Sequence, residues 1–78
     1  MRKISVLIAN RHATSICLEE EFYQSLLSIA AELNVSLNQL VSQIDDERRN
    51  TNLSSAIRLY ILSYYKQQLM NAKKTEKK

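Results

Sequence analysis

HATSICL at residues 12–18, running without a break into EEEFYQSLLSIAAEL at residues 19–33, is the stretch that decides the fold. Its first seven residues alternate. Thr14, Ile16 and Leu18 fall on one side and Ala13, Ser15 and Cys17 on the other, the two-residue period of a half-buried strand. At Leu18 the period changes: Leu18, Phe22, Leu26, Ile29, Ala30 and Leu33 share one helical stripe. Glu19, Glu20 and Glu21 fill the first turn of that helix, where carboxylates meet the positive end of the dipole. One short strand therefore feeds directly into a helix.

Downstream, the chain marks its own boundaries. Asn34 follows the last apolar residue of the stripe, and in a sequence with no glycine it is the residue best suited to the left-handed conformation that ends many helices. Ser36 and Gln39 have capping-box spacing, and Val35 before the cap is placed to pack on Leu40 as a hydrophobic staple. A second helix is expected from Leu37, with Leu40, Val41 and Ile44 on its apolar side, ending near Arg48 in the polar run DDERRN. Asn52 is the expected cap of a third helix, LSSAIRLYILSYYKQQL. Leu53, Ala56, Ile57, Tyr60, Ile61 and Tyr64 make one stripe on it, while Leu59, Leu62, Tyr65 and Leu69 extend the apolar surface well round the cylinder. A single contact cannot cover all of that surface, so the third helix is expected to touch two partners.

Upstream, residues 4–9 are themselves β-prone, and Asn10 with Arg11 would either turn the chain into a hairpin or leave an extended arm; the sequence keeps both open. Residues 1–18 carry Arg2, Lys3, Arg11 and His12 and no acid, a basic strip of the kind that meets nucleic acid. The domain reading is an amino-terminal arm or extra strand at 1–11, a folded domain at 12–70, and a charged tail at 71–78 that frays.

Composition excludes several classes. Cys17 is the single cysteine and His12 the single histidine, so neither an internal disulfide nor a His/Cys metal cluster is expected, and a reducing cytoplasm fits. No apolar run reaches the length of a membrane span, and residues 4–9 are too short for a secretory leader. No phosphate loop or nucleophile–base pair is present, and His12 and Cys17 lie on opposite faces of the strand, so no enzyme and no cofactor is expected. With these stabilisers set aside, a chain of 78 residues is expected to rely on a second copy of itself.

The quoted blocks RHATSICLEEEF (11–22), LNVSLNQLVSQID (33–45) and NLSSAIRLYIL (52–62) together resemble the ribbon-helix-helix family of DNA-binding proteins, in a subgroup of short bacterial proteins with an added carboxy-terminal helix. The resemblance implies a mainly α fold with one short strand per chain, intertwined as a homodimer through an intermolecular antiparallel β-ribbon. Ile16, Leu18, Phe22, Leu26, Leu40 and Ile44 would form the dimer core. Arg11, Ala13, Ser15 and Cys17 would face bases in the major groove; Ala13 and Cys17 offer little to discriminate them, which leaves Arg11 and Ser15 as the readers. The start of the second helix, Ser36, Leu37 and Asn38, would clamp a phosphate, with Arg2, Lys3 and His12 as further backbone contacts. The implied function is a dimeric regulator of transcription, a repressor bound to double-stranded DNA. The alternative is an antitoxin-like protein whose third helix binds a protein partner.

Overall fold

In a computed structural model that describes residues 1–8, 12–48 and 52–76, the amino-terminal residues form a strand, β1 (Arg2–Ile8), antiparallel to β2 (His12–Leu18). The register runs from Arg2 opposite Leu18, through Ser5 opposite Ser15, to Ile8 opposite His12. The chain thus carries two strands where the resemblance implied one short strand per chain, and of the hairpin and the extended arm that the sequence keeps open it takes the hairpin. The reason lies in the period of β1. Ile4, Val6 and Ile8 repeat the inward alternation of Thr14, Ile16 and Leu18, so β1 satisfies an edge of β2 that would otherwise expose its backbone groups. Residues 9–11, where the sequence keeps a turn and an extended arm both open and which include Arg11, lie outside the described residues.

Three helices follow: α1 (Glu20–Leu33), α2 (Leu37–Glu47) and α3 (Leu53–Glu76). Asn34 ends α1 in the left-handed region, at φ 63° and ψ 40°, and its N–H and that of Val35 take the last carbonyls of the helix. The capping box of α2 is complete: Gln39 N–H donates to Ser36 Oγ at 3.0 Å and Ser36 N–H donates to Gln39 Oε1 at 2.8 Å. Asn52 caps α3, its Oδ1 accepting from Ser55 N–H at 2.8 Å. The third helix continues to Glu76, so residues 71–76 are helical where a fraying tail was expected. Ala72, the lysines and Glu76 are all good helix formers, and neither Gly nor Pro interrupts them.

The core lies between the inner face of the hairpin and the helices. Val6, Ile16, Leu18, Leu26, Ile29, Ala30, Leu40, Val41, Ile44, Leu53, Ile57 and Ile61 are buried together, and Val35 packs against this cluster as the staple predicted. Every residue expected to form a dimer core belongs to this one-chain core, except Phe22, which is half-buried at its margin. The single chain therefore buries a core of its own. Strand β1 and the first half of α3 add Val6, Leu53, Ile57 and Ile61 to what a strand and two helices could bury alone.

Candidate nucleic-acid interface

The two strands present one continuous outer face. Lys3, Ser5 and Leu7 of β1 stand opposite Cys17, Ser15 and Ala13 of β2, and all six are exposed. Ala13, Ser15 and Cys17 thus face outward as the alternation predicts. Ser5 and Leu7, which the sequence reading did not single out, complete the face. Ser5 sits directly opposite Ser15 and gives the centre of the ribbon a pair of hydroxyls, each able to donate and to accept. A two-stranded ribbon has the width that the major groove of DNA admits.

Each edge of the ribbon is bordered by a capped helix start. On the β1 side, Leu7 N–H donates to Asn38 Oδ1 at 3.1 Å, tying the edge of the strand to the first turn of α2. Leu7, Ser36, Asn38, Gln39, Ser42, Gln43 and Asp46 line an open groove there. The N–H groups of Leu37 and Asn38 lie in the first turn, where no earlier carbonyl of the helix can take them, so Ser36, Leu37 and Asn38 are brought to the ribbon with donors to spare. On the β2 side a second groove runs between Thr14–Cys17 and the start of α3, with Asn52, Ser54 and Arg58 on its wall.

The cations divide between scaffold and surface. Arg2 turns away from the outer face: its guanidinium donates to the Glu20 carboxylate at 3.0 and 3.5 Å and lies over the Tyr23 ring at 4.6 Å. The hydrogen bond from Arg2, with another from Gln24, holds the Glu20 carboxyl below the usual 4.5, and the same pairing raises Arg2. Arg2, expected from the sequence as a phosphate contact, is thereby tied to α1 while its side chain stays about half exposed. Arg58 does the same work between α3 and α1, donating to Glu19 at 2.9 and 3.3 Å and lowering its carboxyl. Lys3 and His12 remain exposed on the hairpin. The sequence could not show the Arg2–Glu20 tie, because it depends on the register that sets the start of β1 beside the start of α1.

A family model described as "Ribbon-helix-helix domain" matches residues 1–65, which takes in both strands, α1, α2 and the buried half of α3. No curated protein and no solved structure matches the chain. The matched span, the two-stranded sheet and the helices behind it agree, and the chain belongs to the ribbon-helix-helix family, whose members bind DNA and typically form dimers.

Proposed function

We propose that the protein is a regulator of transcription, a repressor that binds double-stranded DNA as a homodimer in the cytoplasm. The outer face of the hairpin enters the major groove, and the first turn of α2 holds a flanking phosphate. The observation that carries this reading is the exposed ribbon Lys3, Ser5, Leu7, Ala13, Ser15 and Cys17 with Ser36, Leu37 and Asn38 tied to its edge through Leu7 and Asn38. Ser15, with Ser5 opposite it, reads base edges; Ala13 and Cys17 make close contacts without discrimination; Lys3 and His12 meet the backbone. Arg11 is proposed as a second reader from its place in the sequence alone.

A gel-shift titration of the purified chain against mixed genomic fragments over a range of salt tests this. Binding that weakens steeply as salt rises is the expected outcome, because each phosphate contact releases counterions. Lys3→Ala removes one such contact from each copy and is expected to lower the slope of log affinity against log salt by about 2 per dimer. No salt-sensitive binding at low ionic strength would sink the proposal.

A second reading, an antitoxin-like protein that binds a different protein through α3, draws on the exposure of Leu59, Leu62 and Leu69. It expects fast amide exchange confined to the outer half of α3 when the chain is purified alone.

A further inference from the structure

Asn38 is not needed to cap α2. Ser36 Oγ already takes the N–H of Gln39 and Gln39 Oε1 takes that of Ser36, so the capping box closes without it. The side chain of Asn38 reaches instead across to β1, where its Oδ1 accepts from Leu7 N–H at 3.1 Å. Alternate residues of an antiparallel strand turn their backbone groups to the open edge, and the bond to Asn38 marks Leu7 as one of these. The Leu7 side chain lies on the outer face of the hairpin, two positions along the strand from Ser5, which stands opposite Ser15. One bond therefore joins the strand beside the readers to the turn that offers the N–H groups of Leu37 and Asn38.

The chemistry of this turn suits an anion beside it. Helix α1 carries Glu20 and Glu21 in its first turn, the usual choice at the positive end of a helix, but the first turn of α2 holds no acid. Its acceptors are the neutral oxygens of Ser36, Asn38 and Gln39. An aspartate at position 38 would accept from Leu7 more strongly, yet it would set a negative charge next to the phosphate. Asparagine is the short side chain that brings a carbonyl acceptor without that charge. Both Leu7 and Asn38 are exposed, so in the free protein water competes for the bond and it adds little to stability. Under bound DNA that water is displaced and the bond strengthens. The turn is then held at a fixed offset from the ribbon, which lowers the ordering cost of binding.

We infer that Asn38 is a positioning residue for DNA binding: through Leu7, its side chain fixes the distance between the ribbon and the phosphate held at the start of α2. The inference rests on the DNA-binding reading and deepens it, because it gives the Asn38 side chain a role apart from that of its backbone N–H. The tie is made within one chain, so each copy of a dimer carries its own.

A double cycle tests it, in gel shifts on a duplex that the wild type retains from genomic fragments. One arm is Asn38→Ala; the other is a synthetic full-length chain whose Leu7 amide is replaced by an ester, which removes the N–H donor and leaves every side chain in place. Each change alone is expected to lower DNA affinity on the order of 5-fold with little change in thermal midpoint, and the two together are expected to be no worse than either. In NMR titrations of both variants the shifts at the Leu37 and Asn38 amides should shrink while those at Ser15 persist, a split that a general loss of structure does not produce. Additive losses would mean that the Asn38 side chain touches DNA itself, and wild-type affinity in either variant would mean that the tie sets nothing; each result overturns the inference and leaves the proposed function standing. A wild type without salt-sensitive binding would overturn both.

Discussion

Ser36 and Asn52 occupy equivalent places at the starts of α2 and α3, each accepting from the backbone N–H three residues on. Ser36→Ala and Asn52→Ala should each cost about 1 kcal/mol, the worth of one cap, and lower the thermal midpoint by roughly 4–8 °C in a domain of this size. The two are expected to part in DNA affinity. The Ser36 variant disturbs the turn that Asn38 ties to the ribbon, so it should bind more weakly beyond what lost stability explains, while the Asn52 variant should bind as the wild type. Thermal melts and gel shifts on the same pair of proteins check this. At this scale the sequence was highly legible: Asn34, the Ser36–Gln39 box and Asn52 act through neighbours within a few positions, and local chemistry alone specifies them. Arg2 was not legible, because its partner Glu20 becomes a neighbour only after β1 has folded back on β2.

Among the elements, β1 shows where a sequence pattern stops deciding. The alternation of Ile4, Val6 and Ile8 announces a strand with one apolar side, yet it is equally compatible with pairing inside the chain, pairing with another copy, or a free arm. Only the register settles which side chains share a face, and so Ser5 and Leu7 could not be assigned to the ribbon beforehand. The elements are also joined by charge. Glu19 and Glu20 begin α1, and Arg58 and Arg2 hold both carboxyls below their ordinary 4.5. Since the native state binds fewer protons at these groups than the unfolded chain, their stabilisation is present above pH 4.5 and is lost as pH falls through the depressed native values. The melting temperature should therefore drop on acidification below that point, and Arg58→Gln should flatten part of the drop; a profile identical to the wild type would exclude the Glu19–Arg58 tie as a contributor.

For the whole molecule, α3 is divided around its circumference into a buried and an exposed side. Its inner side closes the core with Ile57 and Ile61, so Ile57→Ala should destabilise the chain by about 2–5 kcal/mol in urea denaturation, as a large-to-small change at a fully buried site does. An effect near zero would mean that α3 is an appendage. The breadth of its apolar surface was plain in the sequence, but which half faces the body was not, since that depends on how α1 and α2 pack. The helix-side core, the order of elements and the outward residues of β2 followed from period and capping. The choice between hairpin and extended arm did not, because the alternation of residues 4–8 suits both. The measurement that bears most directly on the central claim is an amide-resolved NMR titration of the chain with a mixed-sequence DNA duplex. Shifts concentrated at Lys3, Ser5, Ala13, Ser15 and Cys17 and at Leu37 and Asn38 are predicted; shifts confined to α3, or none at low salt, would contradict a DNA-binding ribbon.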